Sequence, residues 1–324
     1  MFKIALTHPQ MTAEVEKQFI PEGAELEIRH SPTEEDLIKN LQDVDAVISA
    51  YEPFTARVMD ALPNLKIISQ AAIGFNSVDI EAAKERGIAV INNPSYCTPE
   101  VADHTLAMIL ALDREIVRYN KAVHVDKEWR YDLFPDVVRF SEQVLGLYGF
   151  GNIAREVAKR ASAFGIKIIA TDPYMNMELA KELNVEVVTF DELIERSDII
   201  SIHAPFTKET ENSISMKEFK KMKKKPTIVN AGRGGIVNED DLAEALDLGL
   251  VRGAALDVLV EENPDLNNSK LVGRDNVILT PHVAYYSKTS QYEIEKRSAN
   301  NIDLYLKGKF DELSIVNGVK NKIN

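Results

Sequence analysis

Short apolar runs recur along the chain at intervals that leave room for a helix between them. In the first third they are Lys3–Leu6, Leu26–Ile28, Ala46–Ile48, Leu65–Ile68 and Ile88–Ile91. Stretches with helical spacing, such as Glu34–Leu41 and Asp79–Arg86, lie between them. Alternation of this kind predicts a parallel sheet covered by helices on both faces. A second series follows: Val144–Leu147, Ile166–Ala170, Val185–Val188, Ile199–Ile202, Thr227–Val229, Ala254–Leu256 and Val277–Leu279. The pattern therefore predicts two α/β arrays, not one.

A long helical stretch separates the arrays. Thr98 suits an N-cap, Pro99 the first helical position and Glu100 the positive helix end. From Val101 to Val123 there is no Gly or Pro, enough for a spine joining two domains. Near the end, Ser290 and Glu293 are spaced as a capping box, opening a helix that runs to about Leu306 before Gly308. This helix follows the completed second array, so it is free to pack back on the first and make the first domain discontinuous. The lysine run Lys220–Lys225 is a solvated helix end.

Chemistry enters where the second array begins. The strand VLGLYGF leads into Gly149-Phe150-Gly151-Asn152-Ile153-Ala154, with helical spacing after it. Gly149 permits a tight turn, Gly151 lets backbone approach a pyrophosphate, and Ala154 allows close helix–strand packing. The next strand ends in Asp172, roughly 20 residues on, where a carboxylate accepts hydrogen bonds from an adenosine ribose. That charge opposes a 2′-phosphate, so the pattern favours NAD over NADP.

Charge and composition narrow the classes. Of 324 residues, 38 Lys+Arg against 51 Asp+Glu leave a net charge of −13, which argues against nucleic acid and anionic membranes as partners. The one cysteine, Cys97, fits a reducing compartment. No apolar run approaches the ~20 residues of a membrane span. The opening MFKIALTHPQ lacks a basic region ahead of an apolar stretch, so no secretion signal is expected. A cytoplasmic enzyme or sensor remains.

A nicotinamide cofactor implies hydride transfer, which needs a proton donor and a carbonyl polariser. Of six histidines, His8 and His30 follow strands, His104 and His124 belong to the spine, and His203 ends a strand near the cofactor. His282 follows the strand NVILT, at a carboxyl end of the sheet, the ligand-facing edge. Arg233 follows TIVN, and Glu261 and Glu262 follow GAALDV. Three complementary groups thus leave three successive strands on one edge.

These segments carry a resemblance. Gly149–Ala154, Asn230-Ala-Gly-Arg-Gly-Gly-Ile-Val237, Ala255-Leu-Asp-Val258 with Glu262, and Thr280-Pro-His282 together resemble the D-isomer-specific 2-hydroxyacid dehydrogenases. Ala72–Asp79 is similar to the family's substrate-loop segment, and Glu100–Leu106 to the start of its linking helix. The resemblance implies a Rossmann NAD-binding domain, residues 100–286, inserted in a flavodoxin-like substrate domain, residues 1–99 plus 287–324. It makes Arg233 the group that binds the substrate carboxylate and polarises the keto oxygen, His282 the acid/base and Glu262 its orienting partner. Gly149, Gly151, Asn152 and Ile153 would meet the pyrophosphate and Asp172 the ribose. Ala204, Pro205 and Ala231 would line the cofactor site, and Asp257 would hold the nicotinamide amide. Backbone N–H groups of Ile73 and Gly74 would bind the substrate carboxylate. No metal is expected, and a homodimer is implied.

Departures matter. Asn263 intervenes where the family commonly has Pro directly after the catalytic Glu, and Gln70-Ala71-Ala72 replaces a more usual Arg-Ala-Gly. The segment Val283-Ala-Tyr-Tyr-Ser287 resembles the branch containing the C-terminal-binding-protein corepressors. The leading expectation is an NAD-dependent 2-oxo acid reductase, with an NAD(H)-sensing binding protein as the alternative. Tyr51 and Tyr285 are expected to line the substrate pocket and favour apolar or aromatic side chains, while Glu52 opposes a phosphate.

Overall fold

The computed structural model describes residues 1–8 and 12–321. Its strands are β1 (Lys3–Leu6), β2 (Glu25–Ile28), β3 (Ala46–Ser49), β4 (Ile67–Gln70), β5 (Ala89–Asn92), β6 (Val144–Tyr148), β7 (Lys167–Thr171), β8 (Glu186–Val187), β9 (Ile199–Ile202), β10 (Thr227–Asn230), β11 (Gly253–Leu256), β12 (Val277–Leu279) and β13 (Ser314–Ile315). Two sheets result, with orders β13-β5-β4-β3-β1-β2 and β12-β11-β10-β9-β6-β7-β8. The second is wholly parallel and has the dinucleotide-binding strand order; the first follows the flavodoxin-like order through β2-β1-β3-β4-β5. β3, β4, β9, β10 and β11 are buried along their whole length, as strands covered on both faces must be.

The chain divides into two compact units: Met1–Tyr96 with Ser287–Asn324, and Cys97–Tyr286. The first junction thus falls slightly ahead of the expected 99/100. The final helix, Lys288–Leu306, joins the first unit. Its Ile294, Ala299, Ile302 and Tyr305 pack with Ile48, Ile67 and Ile91 of that unit's sheet. Ser69 Oγ donates to the Ser298 carbonyl at 2.8 Å, fixing the helix over β4.

Three local expectations are corrected. The spine is not one helix: Thr98–Asp113 ends, Glu115 turns left-handed at φ +54°, and Ile116–Lys121 starts afresh. The helix end is held at Asp113, whose buried carboxylate accepts from Gln143 Nε2 at 2.6 Å and from Arg252 Nη2 at 3.3 Å. The N-cap position is Cys97, not Thr98. At the last helix the capping box is Ser287 with Ser290, and Glu293 instead pairs with Arg297. The first sheet also gains β13, antiparallel to β5 with Ser314 opposite Asn92.

One buried carboxyl bears on stability. Glu16, in the short turn Glu16–Gln18, is fully buried, and neither oxygen has a hydrogen-bond partner among the described residues. Burial, with Glu295 adding to it, raises its pKa above the ordinary 4.5. A raised carboxyl pKa gives stability that is complete below the unfolded value and lost as pH rises through the folded one. Glu16→Gln is therefore expected to hold its urea midpoint between pH 5 and 8 better than the wild type. The variant should be more stable by about 1–3 kcal/mol at the upper end. Parallel midpoint-versus-pH curves for the two proteins would contradict this.

Candidate active site

The turn from β6 into the helix Asn152–Ser162 is shaped by two glycines. Gly149 has φ +95°, and a Cβ there would lie 2.6 Å from the Ala204 amide, where the chain leaves β9. Around Gly151 nothing lies within 4 Å of where a Cβ would be. The turn is thus pressed against β9 on one side and open on the other. Ala154 is fully buried beneath the helix. Asp172, just past β7, accepts from the Phe150 amide at 2.7 Å through Oδ2 and from the Tyr174 amide at 2.7 Å through Oδ1. Its carboxylate therefore sits against the glycine turn with lone pairs to spare. Arg155 adds positive charge, its Nε donating to the Gly151 carbonyl at 3.2 Å and its Nη2 to Asn152 Oδ1. An open glycine turn, a helix N-terminus, a nearby cation and a carboxylate at the end of the next strand fit a dinucleotide with an unmodified ribose. Buried Ala204 and exposed Pro205 follow β9, and Ala231 follows β10 at the same sheet edge.

β10, β11 and β12 are sheet neighbours, and their carboxyl ends bring Arg233, Glu262 and His282 into one region. After β10, Asn230 folds the chain back: its Nδ2 donates to the Arg233 carbonyl at 2.8 Å and its Oδ1 accepts from the Gly232 amide at 3.0 Å. Arg233 Nη1 donates to the Gly232 carbonyl at 2.8 Å, which leaves most of the guanidinium's donors uncommitted within the second unit. His282 Nδ1 meets Glu262 Oε2 at 2.7 Å. That bond, then the His282 and Arg233 charges, holds the Glu262 carboxyl below its usual range despite partial burial. An ionised Glu262 can only accept, so Nδ1 carries the proton in the pair, and Nε2 is the ring nitrogen left to act on a substrate.

His282 is left-handed, at φ +49°, a conformation that a non-glycine residue adopts only where its surroundings impose it. Asp257 imposes it. The Asp257 carbonyl accepts from the His282 amide at 2.7 Å. Its carboxylate accepts from the Val283 and Ala284 amides, each at 2.9 Å, and from Thr280 Oγ1. This carboxylate is wholly buried, so its first task is to shape the loop that presents His282. Three of its roughly four acceptor positions are used within this loop. The Tyr285 ring stands edge-on to His282, centroids 5.8 Å apart.

His203 is not a competing acid: burial pushes it down to about 4, and its Nε2 is 2.9 Å from Ser201 Oγ. His104 is more than a spine residue, since its Nε2 lies 3.1 Å from Thr280 Oγ1 and 3.7 Å from Asp257 Oδ1. The sequence pattern also passed over Asn230, Arg155 and Glu239. Asn230 is the kind of turn-former that a strand end followed by glycine suggests. The other two act through backbone contacts that no spacing reveals.

In the first unit, Tyr51 follows β3 and its ring faces His8, centroids 5.8 Å apart. Burial lowers the His8 pKa, against the nearby Glu52 charge. Glu52 is buried, and its Oε2 accepts from Ser49 Oγ at 2.8 Å, the Ala50 amide at 2.9 Å and the Tyr51 amide at 3.1 Å. After β4, the loop with Ile73 and Gly74 is held by Asn92, whose Nδ2 donates to the Ile73 carbonyl at 2.7 Å. No group of three or more metal-ligating side chains occurs among the described residues, and no described helix is long and apolar enough to cross a membrane.

Comparison with known proteins agrees with the fold and the cofactor. The family profile described as "D-isomer specific 2-hydroxyacid dehydrogenase, NAD binding domain" matches residues 106–284. A glyoxylate reductase of Thermofilum pendens is 38% identical over 283 residues, covering 86% of this chain and 83% of its own. A D-3-phosphoglycerate dehydrogenase of Archaeoglobus fulgidus is 38% identical over 287 residues, 88% of this chain; the match spans only 54% of that longer relative. Among solved structures, a D-lactate dehydrogenase of Aquifex aeolicus, complexed with NAD and lactic acid, superposes with a TM-score of 0.85 at 28% identity, covering 98% of this chain and 99% of its own. The chain belongs to the D-isomer specific 2-hydroxyacid dehydrogenases, and residues 106–284 form its NAD-binding domain.

Proposed function

We propose that the protein is an NAD-dependent oxidoreductase that interconverts a 2-oxo acid and its D-2-hydroxy acid. The observation that carries this is the His282–Glu262 pair at 2.7 Å on the sheet edge that also bears Arg233. A protein that only sensed NAD(H) would need none of the three. Residues 97–286 are the cofactor domain, and residues 1–96 with 287–324 the substrate domain.

NADH, when bound, supplies the hydride. Gly149, Gly151, Asn152 and Ile153 receive its pyrophosphate at the helix N-terminus, Asp172 its ribose, and Asp257 its amide, with Ala204, Pro205 and Ala231 lining the site. Arg233 pairs with the substrate carboxylate and polarises the keto oxygen. His282 delivers a proton from Nε2 to that oxygen, while Glu262 compensates the ring's charge and fixes its orientation. Tyr285, whose ring stands edge-on to His282, contacts the substrate side chain.

The substrate side chain is uncharged. Ser49 Oγ with the Ala50 and Tyr51 amides forms a concavity suited to an anion, and Glu52 already fills it. The deciding experiment is NADH oxidation against a panel: glyoxylate, hydroxypyruvate, phenylpyruvate and 3-phosphohydroxypyruvate. Turnover of the acids with uncharged side chains, with weak use of the phosphorylated one, is expected. No turnover of any would favour the sensor.

Asp172 sets cofactor choice. NADH is expected to be preferred over NADPH by about tenfold to a thousandfold in kcat/KM, from lost charge-assisted bonding plus like-charge repulsion. Asp172→Asn should narrow the gap by roughly tenfold. Equal use of both cofactors by the wild type would overturn this role.

The protein acts as a homodimer in a reducing, cytoplasmic setting. The segment after the broken spine is ordered, with Tyr119 Oη donating to the Tyr131 carbonyl at 2.7 Å and Arg118 stacked 4.0 Å from the Phe134 ring centroid. It nevertheless presents Trp129 and Tyr131 at 87% and 93% exposure, too much aromatic surface to leave in water. Light scattering is expected to give a dimer for the wild type and a monomer for the Trp129→Ser/Tyr131→Ser double variant.

A further inference from the structure

We propose that Glu239 is a positioning residue for the proton-delivering pair, holding in place the loop that presents Glu262 to His282. The proposal rests on the reading of His282 and Glu262 given above. After β11 the chain is anchored by buried Asp257 and Val258, but Val260, Glu261 and Glu262 are exposed and contribute little packing. Glu262 is still presented to one atom of His282 at 2.7 Å, so something outside the loop must hold its backbone.

Two contacts do so, and both come from the segment that carries Arg233. Gly234 lies so close to the loop that a Cβ on it would overlap the Leu259 carbonyl. Glu239 Oε1 accepts from the Val260 amide at 2.6 Å, two residues before Glu262. Glu239 is fixed at its backbone. It is the first residue of the helix Glu239–Asp247, whose N-cap, Asn238, accepts from the Asp241 amide at 3.0 Å. A single segment, 230–239, therefore carries the carboxylate-binding arginine and sets the register of the carboxylate behind the histidine.

The electrostatics of Glu239 point the same way. Burial and the charges of Asp240 and Glu261 all raise its pKa, and only the Val260 amide opposes them. Lys270, the nearby cation, is paired with Asp240 at 2.7 Å. A carboxylate in acidic company at this position is compensated by that one backbone bond. On the other side, Glu262 faces His282 and Arg233, and His282 faces Glu262 and the Tyr285 ring.

The test compares kcat/KM against pH for wild type, Glu239→Ala, Glu239→Gln and Glu262→Gln, with urea midpoints alongside. Loss of the carboxylate behind the imidazole weakens its hold on the proton, so Glu262→Gln should move the alkaline limb of the reduction profile toward acid. Glu239→Ala should move it in the same direction and lower kcat about tenfold, the worth of one positioning hydrogen bond. Glu239→Gln, whose amide oxygen still accepts from Val260, should retain the wild-type profile. A Glu239→Ala protein that is less stable but has an unmoved profile would show only a helix-end role and overturn the proposal. So would a Gln variant as impaired as Ala. Should the wild type turn over no 2-oxo acid, the reading of function fails, and the His282 titration followed by NMR then decides positioning alone. A shifted midpoint in Glu239→Ala supports it, and an unshifted one refutes it.

Discussion

Replacing His282 with alanine is expected to lower kcat for 2-oxo acid reduction by roughly two to four orders of magnitude, the usual worth of general acid–base catalysis. The loss should be this deep because no neighbour can substitute. His203 is held neutral by burial and engaged with Ser201, and His104 Nε2 is engaged with Thr280. NADH affinity should change little, because the residues that would hold the dinucleotide belong to the β6, β7 and β9 ends of the sheet. Strain must be separated from chemistry. His282 sits at φ +49°, and alanine there keeps the strain without the loop contacts of the ring. Asparagine tolerates the left-handed region better, so His282→Asn should be as inactive as the alanine variant but more stable to urea. Single-turnover NADH oxidation, with NADH binding followed by fluorescence, measures both halves. A fall in kcat of less than tenfold in His282→Asn would remove the imidazole from its assigned role.

Much of the fold was legible because a parallel sheet writes itself as continuous apolar runs. β1, β9 and β12 begin and end where the runs do, and most of the others are displaced by a residue or so. What stayed hidden depended on partners far away in sequence. Nothing local to Asp113 announces that it will bind Gln143 and Arg252 at the end of the spine helix. β13 is two residues long and exists because Asn92 and Ile91 offer an open edge. The same division runs through the candidate site. Arg233, Glu262 and His282 stand at strand ends, where one-dimensional pattern and ligand-facing geometry coincide. Asp257, assigned from resemblance to the cofactor amide, turns out to be wrapped in the loop of His282, a contact visible only once β11 and β12 lie side by side. Glu239 acts on a backbone amide, which carries no residue signature at all.

Arg233→Ala is expected to damage binding and chemistry together. Among the described residues of its own unit the guanidinium makes one hydrogen bond, Nη1 to the Gly232 carbonyl, so its planar fork is oriented yet largely unspent there. A carboxylate of the substrate can take two parallel N–H groups from such a fork, and the keto oxygen lies one atom further along. The first contact exists in ground and transition states alike and its loss raises KM. The second strengthens as negative charge grows on the oxygen, and its loss lowers kcat. KM should rise by roughly tenfold or more and kcat should fall by about a hundredfold, as for removal of one charged donor at an oxyanion. Lysine should restore little, because an ammonium cannot reproduce the fork. Free guanidinium ion, by contrast, should recover part of kcat in the alanine variant by occupying the emptied space. Arg233 also contributes, after His282, to holding Glu262 ionised, so the alanine variant should lose activity at a higher pH than the wild type as the solution is made acidic. Steady-state kinetics with and without guanidinium, repeated across the acid limb, test each part. A KM left unchanged would assign the substrate carboxylate to another group.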